Sequence, residues 1–273
     1  MFSRFVSNLL SHHDNNFVCD LFSPYRLQPS RFIGKKGNSE RRLLNYILDY
    51  CLDRNPAILK YTKSQRLQEI FFFTLLNGLV ESYLEAGAND GLLYSNTYAL
   101  YNLTSSLGIC VEASPRLYDS LILNRPNNIN FNYALSDVSG QALSLHDNTS
   151  HGLFGRIQEP SELVVKHSCL QESVQSMTLE DVLDECSESC ISFLSLDIEG
   201  SELKTLKALS KPLFLAACIE ANKHSSKLAI SSILSGMGYT CYHYPFASNE
   251  VVAVFGTDSL NAGLVRLLED FKI

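Results

Sequence analysis

The stretch SYLEAGANDG, residues 82–91, constrains this chain more than any other. An apolar run feeds a carboxylate, and Gly87, Asn89 and Gly91 follow at alternate positions. The pattern predicts a buried strand ending at Glu85 and Ala86, then a tight turn. Glycine visits φ > 0 and lets backbone approach a ligand closely, and asparagine is among the few other residues that tolerate that region. In open α/β sheets, ligands sit beyond the carboxyl ends of the strands, where such a turn lies. The turn therefore predicts a nucleotide-like cofactor with an acid at the base of its site. Gly87 is expected to be small for the cofactor's sake, so that valine there would abolish binding and leave the fold mostly intact.

Around this stretch the chain reads in order. Residues 1–39 are irregular, punctuated by Pro24, Pro29, Gly34 and Gly37. Leu43, Leu44, Ile47, Leu48 and Cys51 share one face of a helix over 40–54, which Pro56 stops. Ser64 is placed to cap a second helix running to about residue 77. Both helices are expected to pack against one end of a sheet. Downstream, strand and helix alternate. A helix from Ser95 and Asn96 is expected to end at Gly108, and ICVE at 109–112 reads as a strand ending in a carboxylate. Ser114 and Pro115 open the next helix. Further strands are predicted over 129–135, 191–196 and 213–219, with shorter ones near 142–145 and 163–167. Thr178, with Asp181 three residues on, starts a helix as in a capping box. A helix running from after Gly200 to Leu209 and one over 225–237 follow, and 239–244 with 251–255 form a closing hairpin. Strands separated by helices argue for an α/β fold, a largely parallel sheet with helices on both faces. The hairpin is expected to give it an antiparallel edge.

Glu85, Glu112, Asp137, Asp197 and Glu220 each fall at or just past the carboxyl end of a predicted strand. On successive core strands they would gather acid along one edge of the sheet. A carboxylate after the second strand can accept both hydroxyl protons of a ribose. That fits a nicotinamide cofactor or S-adenosylmethionine, and the turn separates the two. A dinucleotide site uses G-x-G-x-x-G with the pyrophosphate on a helix N-terminus. Here E-x-G-x-N-x-G lacks the third glycine and begins with an acid. That acid would repel a pyrophosphate and suits an ammonium and a sulfonium, so S-adenosylmethionine is the favoured cofactor.

The segments YLEAGANDG, SNT, VEASPRLYDSLILNRPN, NYALSD and SLDIEGSELKTLKAL, led by SQRLQEIFFF, resemble the successive motifs of the FkbM-type methyltransferase family. The resemblance covers roughly residues 64–255. It implies a class I methyltransferase fold, a Rossmann-like three-layer sandwich around a mostly parallel seven-stranded sheet whose last strand is antiparallel. The implied domain spans 64–273 behind a helical extension over 1–63. The implied activity is methyl transfer from S-adenosylmethionine to a hydroxyl of a sugar, glycan or other small molecule. The resemblance assigns Glu85, Gly87, Asn89 and Gly91 to the cofactor's methionine end and Glu112 to its ribose. It sets Ser136 and Asp137 at the border of the adenine. Asp197, Glu199 and Glu202 match the family's D-x-E-G-x-E run.

An unactivated hydroxyl is a poor nucleophile, and a positioned base contributes ~10²–10⁴-fold. Asp197 is the first candidate; its plainer reading is a brace for the turn or for the cofactor's amino group. His151 is the second, because a loop imidazole titrates near neutrality, although an idle surface histidine is the plainer reading. Glu220 and Asn222, beyond the fifth strand, are candidates to bind the acceptor, as are Glu199 and Glu202. Nothing in the spacing of these acids demands a metal, and none is expected. A nicotinamide oxidoreductase is the enzyme alternative, and a methyltransferase fold retained as a binding module is the non-enzyme one.

Composition narrows the partners. A net charge of −7 argues against a nucleic-acid groove built on bulk charge. No run approaches the roughly 18 apolar residues of a membrane span. Phe2, Phe5, Val6, Leu9 and Leu10 suit a short docking helix better than a signal peptide. Eight cysteines are scattered, and Cys186 and Cys190 lack a second pair or histidines at zinc spacing. Reduced thiols in the cytoplasm are the expectation.

Overall fold

The computed structural model describes residues 37–147, 156–158, 170–256 and 258–273. In chain order its strands are β1 (Ser82–Ala86), β2 (Leu107–Val111), β3 (Ile129–Phe131), β4 (Ala134–Leu135), β5 (Ala142–Asp147) and β6 (Arg156–Gln158). They continue as β7 (Leu170–Met177), β8 (Ile191–Leu196), β9 (Phe214–Glu220), β10 (Tyr239–His243) and β11 (Glu250–Phe255). Helices α1 (Gly37–Arg54), α2 (Ala57–Tyr61) and α3 (Gln68–Leu75) precede β1. The others are α4 (Tyr98–Leu103), α5 (Pro115–Asn124), α6 (Leu179–Glu185), α7 (Glu202–Lys207), α8 (His224–Gly236) and α9 (Ala262–Leu268).

Seven strands form one sheet in the order β10-β11-β9-β8-β1-β2-β3. All neighbours are parallel except β11, which runs antiparallel to both β9 and β10. The closing hairpin gives the sheet its expected antiparallel edge: the last strand, β11, runs antiparallel one place inside, and β10 is outermost. The sequence explains the order: β11 buries Val251, Val252, Ala253 and Val254 on both faces, as an interior strand must, whereas β10 leaves His243 exposed. The strand expected over 129–135 divides. β3 stays in the main sheet, and β4 pairs with β7 in a second, four-stranded sheet ordered β4-β7-β5-β6. The strand expected near 163–167 lies outside the described residues.

Alternation along the strands builds two cores. Tyr83, Phe193, Ala216, Cys218, Val252 and Val254 point to one face, where α1, α3 and α9 cover them. Leu84, Leu194, Leu196, Ala217 and Val251 point to the other, under α6, α7 and α8. The five apolar residues that predicted α1 are all buried in the first core. These N-terminal helices thus cover a face of the sheet rather than its end.

Two helices depart from expectation for local reasons. The helix expected from Ser64 starts only at Gln68, as α3; residues 62–67 ahead of it are irregular, with Leu67 left-handed at φ 67°, and the short α2 precedes them. The cause is Glu69, which is wholly buried. Its carboxylate accepts from Thr62 Oγ1, from the backbone N–H of Lys63 (2.6 Å) and Ser64 (3.0 Å), and from Ala99 N–H (2.6 Å). A buried carboxylate needs such donors, and gathering them bends residues 62–66 out of a helix. Burial still holds the Glu69 pKa above the ordinary value, against the pull of those bonds. Gly108 does not end a helix; it lies in β2, where a Cβ would collide with Tyr83 Oη and Asn128 Oδ1. Among the described residues, Cys51, Cys110, Cys186, Cys190, Cys218 and Cys241 are free thiols, and no helix is long and apolar enough to cross a membrane.

Candidate active site

A cavity of about 290 Å³ opens at the carboxyl edge of the parallel strands, close to the lower end of the usual range for ligand sites. The turn after β1 forms part of its wall. Gly87 N–H and Ala88 N–H both donate to Val111 O, at 3.0 and 3.1 Å, and tie the turn to β2. Asn89 is left-handed at φ 53°, as its place in the turn suggested. Gly87 has φ +74°, and a Cβ there would overlap the carbonyl oxygen of Asp197. The expectation that Gly87 is small only for the cofactor is thus corrected. The end of β8 already fills the space, and any side chain would push β1 and β8 apart.

Glu85 is buried at the base of the turn, with both carboxylate oxygens engaged. Ser95 Oγ (2.8 Å) and Thr97 Oγ1 (2.6 Å) donate to Oε2, and Asn96 N–H (2.5 Å) donates to Oε1. The SNT run after the turn therefore folds back to satisfy this acid. Glu112 follows β2 and lines the same cavity. Asn89 N–H donates to one of its oxygens and Ser114 N–H to the other, each at 2.8 Å. Those two bonds fix the plane of the carboxylate between the turn and the start of α5. Tyr133, Ala134, Leu135 and Leu145 give the cavity a more apolar wall nearby.

Acids gather at the end of β8 and β9. Asp197, Glu199, Glu220 and Glu250 all line the cavity. Burial in the cleft raises the Asp197 pKa well above the usual carboxylate range, and Glu220, Glu199 and Glu250 raise it further. Solvent does reach the Asp197 side chain, which tempers the burial part. Carboxylate oxygens of Asp197 and Glu220 lie within 4.8 Å of each other, and the nearby like charge disfavours ionisation of Asp197. Glu250 accepts from Gln68 Nε2 at 2.8 Å and from Cys218 Sγ at 2.9 Å. Burial, with Glu220 adding to it, raises the Glu250 pKa to about 7 against those two bonds. Glu202 is buried behind this group and accepts from Ile198 N–H (2.9 Å) and Gly200 N–H (3.0 Å). Asp197, Glu202 and Glu220 each present an oxygen within 4.8 Å of the others, close enough for one hard cation.

The structure thus brings Glu85, Gly87, Asn89, Glu112, Asp197, Glu199 and Glu220 to one cavity. The other described residues assigned from sequence do not line it. Gly91 backs the turn from outside the lining, at φ +76°. Ser136 is buried beside Met177, and Asp137 pairs with Lys204 at 3.4 Å; neither lines the cavity. Asn222 is exposed, 3.5 Å from Asn249 at the rim. His151 lies outside the described residues.

Gln68 and Glu250 are cavity residues that the motifs did not point to. The signal for Glu250 was available. An antiparallel strand begins at the edge where its parallel neighbours end, so the acid opening β11 joins the acids closing β8 and β9.

The sequence of residues 85–241, more than half of the chain, matches the methyltransferase FkbM domain. The chain belongs to the FkbM methyltransferase family. Its fold is similar to that of the methyltransferase FkbM from Methylobacillus flagellatus KT, with 16% identity and a TM-score of 0.42 over 80% of this chain. The chain spans 55% of the length of that relative. It is also similar to a TehB-like SAM-dependent methyltransferase from Corynebacterium glutamicum, with 12% identity and a TM-score of 0.40, covering 80% of this chain and all of that one. A third similar structure is Aeropyrum pernix fibrillarin in complex with S-adenosyl-L-methionine, with 10% identity and a TM-score of 0.35, covering 63% of this chain and 65% of that one. No curated protein matches the chain. The FkbM match holds the turn, Glu112, Asp197 and Glu220, and it leaves Gln68 and Glu250 outside.

Proposed function

We propose that this protein transfers a methyl group from S-adenosylmethionine to a hydroxyl of a sugar, a glycan or another small polyhydroxylated molecule. One observation carries the reading. Glu112 is locked beside the Gly87–Asn89 turn by Asn89 N–H, in the same cavity as Asp197. An acid past the second strand, with a fixed carboxylate plane, suits the two hydroxyls of a ribose. The acidic lining favours a ligand that carries a sulfonium and an ammonium over one that carries a pyrophosphate.

In this reading Glu85, Gly87 and Asn89 frame the methionine end, with Gly91 shaping the turn from behind. Glu112 holds the ribose. Tyr133, Ala134, Leu135 and Leu145 take the adenine, with Ser136 and Asp137 supporting that wall from outside. When bound, S-adenosylmethionine supplies an electrophilic methyl group on sulfur. Asp197, beside Glu220, receives the proton of the acceptor hydroxyl. Its raised pKa makes it a stronger proton acceptor than an ordinary carboxylate. Gln65, Arg66, Gln68 and Asn249 line the cavity as well, and their amides and guanidinium suit an acceptor rich in hydroxyls. Glu199 reaches the acceptor from the wall, Asn222 from the rim, and Glu202 holds the Asp197 loop in shape.

Thermal-shift measurements with S-adenosylhomocysteine and with NAD test the cofactor, because a ligand of the folded state raises the melting temperature. Stabilisation by S-adenosylhomocysteine alone is expected. Stabilisation by NAD alone would make the protein an oxidoreductase candidate. Methyl-labelled S-adenosylmethionine with a panel of sugars and polyols tests the acceptor. Label that appears only on amine or thiol acceptors would overturn the hydroxyl assignment.

A further inference from the structure

Arg125 is the largest wholly buried side chain among the described residues, and the proposed chemistry makes no use of it. It follows the last turn of α5 and reaches back to the turn after β1. Its Nε donates to Gly91 O at 2.6 Å, and its Nη2 donates to Ser95 Oγ at 2.6 Å. The same Nη2 lies 3.8 Å from Glu85 Oε2, an ion pair sealed from solvent. The guanidinium carbon sits 5.0 and 4.9 Å from the ring centroids of Tyr98 and Tyr101. Such a stack favours arginine over lysine. Gly91 is shaped to this contact, since a Cβ there would meet Arg125 Cγ at 2.8 Å.

The bonds form a chain. Ser95 Oγ accepts from Arg125 and from Thr97 N–H, and donates to Glu85. One guanidinium thereby fixes both ends of the segment 91–95 and balances the charge of Glu85. We infer that Arg125 is a positioning residue for the cofactor, holding the Gly87–Gly91 turn in its binding shape through Gly91 O, Ser95 and Glu85. The inference rests on the proposed cofactor reading, because it assigns that turn to S-adenosylmethionine. Glu85 also acquires an inward role, since its charge is balanced within the protein rather than left for the ligand alone.

The groups around the pair are Tyr83, Tyr98, Tyr101 and Cys110, with Lys63 over the far Tyr98 ring at 5.9 Å. Burial pushes the Tyr83 phenol up, and pushes the Cys110 thiol up to about 12, with Glu85 adding in both cases. Neither ionises near neutral pH. Removing the guanidinium would therefore leave the Glu85 carboxylate buried without its cation.

The test measures S-adenosylhomocysteine affinity by calorimetry at pH 7 in the parent, Arg125→Lys, Arg125→Met and Arg125→Met/Glu85→Gln. The expected result is an affinity loss of at least 10-fold at pH 7 in all three variants. Arg125→Met should lose more than Arg125→Lys, which keeps a cation facing Glu85. It should also lose more than the double variant, in which no buried charge is left unpaired. If Arg125→Met does not fold, Arg125→Lys and the double variant, which carries no unpaired charge, decide. Parent-like affinity in a folded double variant overturns the positioning role and leaves the cofactor reading standing. An Arg125→Lys deficit equal to that of Arg125→Met also overturns it, as a general loss of packing. A parent protein that does not bind S-adenosylhomocysteine overturns both.

Discussion

Glu250 and Glu220 are register partners across the β9–β11 pair, two carboxylates set side by side on the wall of one cavity. Like charges placed opposite each other weaken a sheet. Here burial and Glu220 together raise the Glu250 pKa to about 7 from the ordinary 4.5. Between those two values the folded state binds more protons than the unfolded state. The stability Glu250 contributes is therefore fully present below about pH 4.5 and is lost as the pH rises through 7, by up to roughly 3 kcal/mol. The raised Asp197 pKa acts in the same direction. Denaturant unfolding at pH 5 and pH 8 should show the ligand-free protein less stable at pH 8, and Glu250→Gln should reduce that difference. Equal pH dependence in parent and variant would show that Glu250 is not the group responsible.

Gly87→Val is expected to damage the fold as well as the cofactor site. The backbone strain of a β-branched residue at φ +74° alone costs on the order of 1–3 kcal/mol, before the collision with Asp197 O is counted. Circular dichroism melting checks this. A melting temperature equal to the parent's would show that the contact between β1 and β8 yields easily.

Glu112→Ala should weaken S-adenosylhomocysteine binding by about 1–3 kcal/mol, through loss of bonds to a charged acceptor. Part of that loss comes from freeing Asn89 N–H and Ser114 N–H, which Glu112 now holds. Glu112→Gln keeps an acceptor oxygen and should fall between the two in calorimetry. Unchanged affinity in a folded Glu112→Ala protein removes the ribose assignment.

Asp197→Asn separates two roles. If Asp197 takes the acceptor proton, the variant should bind S-adenosylhomocysteine nearly as well as the parent and turn over ~10²–10⁴-fold more slowly. Affinity that falls together with rate would place Asp197 on the cofactor's ammonium instead. Binding and single-turnover rate, measured on the same preparation, distinguish these outcomes. Both unchanged would move the proton to Glu220, Glu250 or His151.

The sequence by itself determined the central strands β1, β2, β8 and β9 and the turn. β8 is legible because six apolar or small residues in a row end on Asp197, and the turn after β1 because Gly87 and Asn89 are residue types that adopt positive φ. These are local signals, written in side-chain size and backbone freedom over a few residues. Glu112 was also legible, because the carboxyl end of a parallel strand is a fixed place in such a sheet. Tertiary structure alone decided what those residues touch. Gly87 is required by Asp197 O, Glu85 is balanced by Arg125, and Glu250 joins Glu220, each a contact between segments far apart in the chain. Pairing across such distances is set by how strands and helices pack, and β11 entering the sheet inside its edge is the clearest case. No local pattern specifies which neighbour a strand will find, because that choice is made by the total apolar surface the sheet can bury.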